Sequence, residues 1–222
     1  MVSHYAYPSE LLLKSVPEDR AAIRLVMETS GEFNSGSYQS YERVRYDDWC
    51  EKHGDMSYNR NVTMSQSTER YPHKFVAADY VSVEVTSSAD WDDDHPAGAP
   101  LGDIAMFYSA SPIKYIRSGY AKTYGWYDPS IPYYFNNYMV NRSVEYKYSS
   151  AVGTTPFHAV KKKVSELTPE DLVLLGSGDY RETLAIIKFI TLPTAEKSHT
   201  ITVTLTTDEE QVFSATLAME FD

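Results

Sequence analysis

Cysteine is nearly absent from this chain of 222 residues, which contains Cys50 alone. A lone cysteine excludes an intramolecular disulfide, so we expect a protein made for a reducing compartment or one that folds without covalent cross-links. The sequence also lacks a run of the ~18 apolar residues that would span a membrane, and its first residues lack the apolar stretch of a signal peptide. We therefore expect an intracellular protein with no membrane partner.

Motifs of the common enzyme classes are missing as well. The sequence contains no P-loop, no G-x-G-x-x-G after a predicted strand, no H-E-x-x-H and no G-x-S-x-G. Cys50 and His53 have a spacing that would suit a thiol nucleophile or half of a zinc site, but no second cysteine and no local signature accompany them. We expect a structural or surface cysteine, no catalytic residues and no cofactor.

The chain does have an uneven distribution of charge. Its net charge is −11, yet residues 111–163 hold eight Lys and Arg against two Asp and Glu, a local charge of +6. This segment, which we call the basic island, also holds 12 of the 30 aromatic residues. Cations interleaved with aromatic rings are typical of surfaces that touch nucleic acid, a lipid headgroup or a neighbouring subunit. Because the rest of the chain is acidic, another copy is the first expected partner and nucleic acid the second.

The densest cations of the basic island are candidates for nucleic-acid binding. They are Arg142, Lys147, Lys161, Lys162 and Lys163. These side chains could neutralise phosphates while nearby tyrosines stack on bases. The alternative is that the three consecutive lysines lie on an edge strand and point outward to block aggregation. The sequence leaves both interpretations open.

Long loops of the basic island supply candidate subunit contacts. Gly and Pro punctuate the segment at Ser118-Gly119 and Asp128-Pro129, which indicates turns. Free exposure of so many rings in loops would invite aggregation, so we expect them to be buried or used for contact. The predicted contact residues are Tyr124, Trp126, Tyr127, Tyr133, Tyr134 and Phe135.

An acidic loop from Asp90 to Pro100 is the candidate metal site. Its carboxylates are the hard oxygen ligands that Ca²⁺ prefers, and they belong to Asp90, Asp92, Asp93 and Asp94. The loop lacks the glycine and the glutamate of an EF-hand, so a solvated acidic loop is the plain alternative. If calcium binds, we expect a site shared at a subunit interface.

Hydrophobic patterning predicts mostly β-strands. Predicted strands cover 62–64, 81–86, 104–108, 144–148, 183–192, 200–206 and 212–221. A helix is predicted from Pro17 to Glu28, because a proline followed by acidic residues suits a first helical turn. A short internal helix is predicted to begin after Thr168 as N-cap and to end at Gly176. Residues 30–60 indicate loops or irregular strands.

This inventory predicts one all-β domain. Residues 1–60 would form an N-terminal helix and an irregular segment, and residues 61–222 an antiparallel β-sandwich or barrel with long loops. We therefore expect a single hydrophobic core, and the length of the chain allows one.

Three stretches resemble the single jelly-roll coat subunits of small icosahedral viruses, most nearly tymovirus-like and other plus-strand RNA viruses. They are Asp79–Thr86, the Gly-led strand Gly102–Pro112 and the terminal strand Val212–Phe221. The resemblance implies an antiparallel jelly-roll β-sandwich, a self-assembling capsid subunit without catalysis, viral RNA or related coat subunits as partners, and a place in a virion assembled in the host cytoplasm. Many such coats have an Arg-rich N-terminal arm, which this chain lacks.

Two other classes remain alternatives. Tyr and Trp on the loops of a β-sandwich also suit a binding module for membranes or glycans, and a helix before such a sandwich resembles actinoporin-like pore formers. A pore-forming helix needs a continuous apolar face, but Pro17 separates the apolar run Leu11–Leu13 from Ala22. A β-sandwich hydrolase is the third class.

Overall fold

The computed structural model describes residues 2–34, 40–56, 73–125, 131–132, 134–135, 154–176 and 183–221, and over these the chain is mostly β. The strands are β1 (Val2–Val16), β2 (Asp19–Asn34), β3 (His73–Val76), β4 (Tyr80–Ser87), β5 (Ala105–Ser111), β6 (Tyr124–Gly125), β7 (Thr154–Thr155), β8 (His158–Lys163), β9 (Thr183–Phe189), β10 (Ser198–Thr207) and β11 (Val212–Glu220). The helices are α1 (Ser40–His53), α2 (Ile113–Arg117) and two short 3-10 helices, Val164–Glu166 and Pro169–Leu172.

Two open sheets contain most of these strands. Sheet A has six strands in the order β3-β1-β2-β9-β5-β8, and sheet B has three in the order β11-β10-β4. All neighbouring strands are antiparallel except β1 and β3, which are parallel. A separate pair is formed by β6 and β7. Because β1 and β2 lie beside β9 and β5, the first 34 residues share a sheet with the second half of the chain.

A shared hydrophobic core lies between the two sheets. Sheet A contributes Leu25, Phe107 and Ile187, and sheet B contributes Ile201 and Val203, all fully buried. These residues alternate along their strands with outward-facing neighbours, as expected when one face of a strand is buried. Burying one such side chain contributes roughly 1.5–3 kcal/mol, so this core is the main cohesion between the sheets.

Trp91 closes one end of that core. It lies in the loop after β4, is fully buried, and has its ring centroid 4.6 Å from that of Phe189 and 5.0 Å from that of Phe221. An indole of this size buries more apolar area than any aliphatic side chain. The acidic loop is therefore anchored by its one large apolar residue.

The helix predicted from Pro17 to Glu28 is wrong. Pro17 and Glu18 lie in the turn between β1 and β2, and β2 pairs with β1 on one side and with β9 on the other. Ile23 and Leu25 face the core with period two. A short apolar run fits a helix or a buried strand equally well, and here the hydrogen bonds available from two neighbouring strands favour the strand.

A helix does occur in the first 60 residues, but at Ser40–His53, where the sequence indicated loops or irregular strands. Its buried stripe is narrow and consists of Tyr46, Cys50 and His53. The other faces are mostly polar or charged, and Val44 is 58% exposed. Apolar periodicity is therefore weak, and tertiary contacts rather than amphipathic pattern select this helix.

The predicted internal helix is a single 3-10 turn, Pro169–Leu172. The Thr168 main-chain N–H donates to a carboxylate oxygen of Asp171 at 3.0 Å, and the Thr168 hydroxyl donates to the same oxygen at 2.7 Å. The residues that predicted a helix start therefore do stabilise a turn, but the chain leaves helical geometry after Leu172.

Five predicted strands are confirmed to within a few residues. They correspond to β4, β5, β9, β10 and β11. The strands predicted around 62–64 and 144–148 lie outside the described residues.

Candidate functional site

Three lysines of β8 and β9 lie on one face of sheet A. Together β9, β5 and β8 contain four lysines and no Asp or Glu. Met106 of β5 pairs with Lys188 of β9 and with Lys163 of β8, and Tyr108 pairs with Lys161. Because successive side chains of a strand point to opposite faces, Lys161, Lys163 and Lys188 share one side of the sheet. We call this surface the lysine face.

Lys162, the middle residue of the three consecutive lysines, points to the opposite side. It pairs with Phe107 of the core face, and its Nζ lies 2.7 Å from a carboxylate oxygen of Asp171. Partial burial would raise the pKa of Asp171, but the bonds from Lys162 and Thr168 outweigh it and hold that pKa below its usual range. The predicted cluster is thus split by the alternation of the strand.

Asp19 is the acid that borders the lysine face. Its carboxylate accepts hydrogen bonds from Lys188 Nζ at 2.6 Å and from the Tyr134 hydroxyl at 2.7 Å. Burial would raise the pKa of Asp19, but these two bonds and one from the Ala21 main chain lower it. Lys188 is therefore neutralised, whereas Lys161 and Lys163 form no ion pair with any described residue.

Two of the predicted subunit-contact residues cover this face. Tyr134 and Phe135 are only 3% and 4% exposed and contact Ala22, Tyr108 and Ile186 of the same chain. In this conformation their rings are buried against their own sheet. This burial attaches Tyr134 and Phe135 to sheet A, and their predicted role in subunit contact stays a prediction.

Tyr124, another predicted subunit-contact residue, lies beside His158 of β8. Its ring centroid is 5.5 Å from that of His158, and Lys122 Nζ lies 5.7 Å from the Tyr124 ring. Burial, together with the nearby Lys114, lowers the pKa of His158 to about 4. This histidine therefore adds no positive charge to the basic island at neutral pH.

The other residues predicted for the basic island lie outside the described residues. These are the nucleic-acid candidates Arg142 and Lys147 and the subunit-contact candidates Trp126, Tyr127 and Tyr133. Their roles stay predictions.

In the acidic loop, two of the four aspartates are used to hold the loop. Asp90 accepts a hydrogen bond from the Ala97 main chain at 2.8 Å. Asp92 accepts bonds from the main chains of Asp94 and His95 at 3.0 and 2.9 Å. The bonds that Asp92 accepts from main-chain N–H groups two and three residues downstream are typical of Asx-type turns.

His95 is held between two carboxylates of this loop. Its Nδ1 is 2.7 Å from Asp92 and its Nε2 is 3.0 Å from Asp103. Desolvation would lower the pKa of His95, but the two carboxylates outweigh it and raise that pKa. Both ring nitrogens of His95 are thus engaged by carboxylates.

No group of three His, Cys, Asp or Glu residues that could hold a metal ion occurs within the described ranges. Asp93 and Asp94 are exposed. The predicted calcium site, which would draw ligands from two subunits, stays a prediction.

A buried ionic cluster connects α1 with sheet B. Asp79, only 6% exposed, lies 2.9 Å from Lys52 Nζ and 2.9 Å from His53 Nε2. Lys52 also contacts Asp208 of the β10–β11 turn at 2.8 Å. Burial would raise the pKa of Asp79, but His53 and Lys52 together hold it below its usual range. This cluster fixes the end of α1 against the start of β4.

Cys50 and His53, whose spacing in the sequence suits a nucleophile or half of a zinc site, make separate contacts in the structure. His53 is engaged by Asp79 and, through Nδ1, by the Trp49 carbonyl oxygen at 2.8 Å. Burial raises the pKa of the Cys50 thiol to about 11. A thiol nucleophile reacts as the thiolate, and this thiol is protonated at neutral pH. The geometry therefore fits a structural cysteine.

One serine–histidine pair is also buried. The Ser87 hydroxyl lies 2.7 Å from Nδ1 of His199, whose Nε2 lies 2.9 Å from the Glu196 carbonyl oxygen. Ser87 and His199 are 3% and 2% exposed, and the ring centroid of Trp91 is 4.9 Å from that of His199. The pair joins β4 to β10 beneath Trp91.

Sheet B contrasts with the lysine face in its charge. Its three strands contain no Lys or Arg and two acids, Glu84 and Glu220. Its outward face is rich in Thr and Ser; the central row consists of Thr86, Thr202 and Thr216, which are neighbours across the three strands. Exposed acids Asp208, Glu209 and Glu210 follow at the β10–β11 turn.

Sequence reasoning missed the two anchoring aspartates. Asp19 looked like a favourable charge in a first helical turn, and Asp79 looked like the beginning of a strand. Their roles depend on Lys188, Tyr134 and His53, which are distant in sequence. No local signal marks such pairs.

Comparison of the chain with protein-family models, with curated proteins and with solved structures found no match. Within the described part of the chain, no helix is long and apolar enough to cross a membrane.

Proposed function

We propose that this chain is a structural protein that assembles with copies of itself, as a capsid subunit of a small icosahedral RNA virus. In this proposal it catalyses no reaction, is assembled in the host cytoplasm and resides in the virion. Its partners are further copies or related coat subunits, with viral RNA as a second partner.

The observation that carries the proposal is the division of charge between the two sheets. On the lysine face, Lys161 and Lys163 form no ion pair with a described residue, while the strands of sheet B hold two acids and no Lys or Arg. Opposite charges on different faces of one molecule favour contact between copies, because the basic surface of one meets the acidic surface of the next. Such head-to-tail contacts build rings or shells rather than closed dimers.

Strand pairing supports a jelly-roll β-sandwich as the fold of this subunit. In sheet B β4 pairs with β10, and in sheet A the next strand, β5, pairs with β9, the strand before β10. Two stretches of chain therefore run side by side first in one sheet and then in the other. A ribbon folded over in this way is a feature of double-sheet jelly rolls, an architecture found in viral capsid and lectin domains. Fold alone does not decide function, so the charge division remains the main support.

A nucleic-acid contact within the same proposal falls to Lys161 and Lys163. Both point outward from the lysine face, whereas Lys162 is paired with Asp171. Phosphate neutralisation needs cations that are not already paired. The pore-forming alternative depended on a helix at residues 17–28, and those residues form a turn and part of β2.

Charge reversal on the lysine face tests the proposal. We expect Lys161→Glu combined with Lys163→Glu to reduce the light-scattering mass of the protein at low salt. Lys197→Glu is the matched control, because Lys197 is exposed but lies just before β10, away from the lysine face. Equal masses for the wild type and both variants would contradict a contact made by the lysine face.

A further inference from the structure

A cavity of about 200 Å³ lies beside β4, on the side of that strand that faces away from β10. Its lining comes from β4, from the loop between β4 and β5 and from the 3-10 helix Val164–Glu166, all within the described part of the chain. Water occupies ~30 Å³ per molecule, so this volume corresponds to about six waters and has room for a small organic group.

A close approach of two main-chain segments builds one wall of this cavity. The Ser165 N–H donates to the Gly102 carbonyl oxygen at 2.9 Å. A Cβ atom at Gly102 would lie only 3.1 Å from the Ser165 nitrogen. Glycine therefore allows the 3-10 helix to lie against the loop at this point, because it has no side chain to hold the two segments apart. Hydrogen-bonded main chain thus fixes the shape of the wall.

Two carboxylates give the cavity a negative charge. Glu84 and Asp103 belong to its lining, which includes no Lys or Arg. Glu84 is exposed and forms no ion pair with a described residue. One oxygen of Asp103 lies 3.0 Å from His95 Nε2, and this histidine offsets part of the Asp103 charge when it is protonated. The cavity therefore favours a cation, with Glu84 as the acid whose charge no described cation offsets.

A main-chain carbonyl of β4 also points to this side. The Val85 carbonyl accepts a hydrogen bond from the Leu101 N–H at 2.8 Å, and the Ser87 carbonyl accepts one from the Gly98 N–H at 2.8 Å. Main-chain groups of alternate residues in a strand point to the same side, so the Val83 carbonyl points there as well. No described residue donates to that oxygen, and Val83 lines the cavity. The Val83 carbonyl is therefore a third acceptor for a bound ligand.

The rest of the lining is largely apolar. Val85 and Val164 are 1% and 6% exposed, Val83 is half-buried, and Pro100 completes this part of the lining. Apolar surface of this kind covers the methylene groups of an aliphatic amine while the charged end of the amine stays near water. A ligand that matches both parts of the cavity therefore has a short alkyl chain and one cationic end.

We propose that this cavity binds the ammonium group of an aliphatic amine, close to the carboxylates of Glu84 and Asp103, with the alkyl chain against the apolar lining. An ammonium group donates three hydrogen bonds and accepts none, which matches a site with two carboxylates and a carbonyl oxygen as acceptors. The amine is either a free small molecule or the side chain of a lysine in another chain. This binding site goes beyond the proposed function, because it requires neither self-assembly nor RNA.

Titration of the isotope-labelled protein with butylammonium chloride, followed by NMR, tests the site. We expect the amide resonances of Glu84, Gly102 and Ser165 to shift and to saturate. Sodium chloride at the same ionic strength controls for screening, and butan-1-ol controls for the alkyl chain, since it has the same four carbons without the charge. Neither control should give saturable shifts at these residues. Saturable shifts with butan-1-ol equal to those with butylammonium, or none with butylammonium, would overturn the proposal.

A matched pair of variants assigns the binding to the cavity. Glu84→Gln removes one charge and keeps the shape of the side chain, and we expect it to raise the dissociation constant of butylammonium about threefold, the effect of one exposed charge. Glu209→Gln makes the same chemical change at an exposed acid of the β10–β11 turn, outside the cavity. It should leave the dissociation constant unchanged. Equal dissociation constants for the two variants would place the binding elsewhere and overturn the proposal.

A second probe, Nα-acetyl-lysine N-methylamide, distinguishes the two sources of the amine. Binding of this probe as tight as that of butylammonium would show that the cavity accepts a lysine side chain attached to main chain. Binding of butylammonium alone would show that it accepts a free amine. Binding of neither probe would overturn the proposal and leave the proposed self-assembly unaffected, because that function is measured by light scattering and does not depend on an amine.

Discussion

The outward faces of the two sheets differ in chemistry and in cover. The lysine face of sheet A is partly covered by Tyr134 and Phe135 and bordered by Asp19, which neutralises one of its lysines. The outward face of sheet B carries Thr and Ser and no Lys or Arg. Among the described residues, one face is thus partly covered by the chain itself, whereas the other keeps its hydroxyl side chains exposed or half-buried.

We expect this difference to separate effects on stability from effects on the proposed assembly. Residues that cover the lysine face contribute to folding because they remove apolar area from water within one chain. We expect the outward Thr and Ser residues of sheet B to contribute little to folding, because their hydroxyl groups stay near water in the folded protein as they do in the unfolded chain. Substitutions on the two faces should therefore act on different measurements.

Phe135→Ala is the largest expected effect on stability. Phe135 is 4% exposed and contacts the apolar residues of the lysine face, so its truncation should cost about 3 kcal/mol or more of unfolding free energy. Thr202→Ala on the outward face of sheet B is the control and should change that free energy by less than about 0.5 kcal/mol. Urea unfolding of both variants measures the contrast, and similar midpoints would show that the lysine face is not covered as described.

Asp79→Asn should have the next largest effect on stability. It removes the charge that Lys52 and His53 share, and we expect a loss of about 3 kcal/mol at neutral pH, the low end for a broken buried pair because Lys52 keeps Asp208 as a partner. The folded pKa of Asp79 lies below its ordinary value of 3.8. Its stabilisation is therefore present above pH ~4 and is lost as the pH falls through the lower folded pKa.

The difference in unfolding free energy between the wild type and Asp79→Asn should therefore become smaller as the pH falls below ~4. Urea unfolding at a series of pH values measures this difference. Asp208→Asn is the control. Because the Asp208 side chain is 36% exposed, its substitution should lower the unfolding free energy by less than Asp79→Asn does. A gap that stays constant down to the lowest pH would show that Asp79 carries no charge in the folded protein.

Sequence reasoning reached the strands of sheet B because their apolar residues alternate without interruption, as in Ile201, Val203 and Leu205. It failed at Pro17–Glu28 because a run such as Ala22-Ile23 fits either period, and the strands that pair with it are elsewhere in the sequence. It failed at α1 because three buried positions in a polar segment leave no apolar stripe. Of the candidate site, the alternation of β8 could have separated Lys162 from Lys161 and Lys163, but the partners Asp171 and Asp19 could not be foreseen.

The smallest expected effect concerns His95, at the end of sheet B. Asp92 and Asp103 flank its ring and raise its pKa above the ordinary value of 6.5. Any stabilisation from this arrangement is present below pH ~6.5 and is lost as the pH rises through the folded pKa. NMR titration of the His95 ring should show this raised pKa, and Asp103→Asn should lower it. A His95 pKa that does not respond to Asp103→Asn would remove Asp103 from the arrangement.

Light scattering of the wild-type protein at two salt concentrations tests the central claim most directly. The Debye length falls from about 10 Å at 0.1 M to about 3 Å at 1 M, so contacts between the lysine face and acidic surfaces should weaken. The account predicts a mass many times the 25.2 kDa of one chain at low salt, falling toward 25.2 kDa at high salt. A mass of 25.2 kDa at every protein and salt concentration would contradict self-assembly.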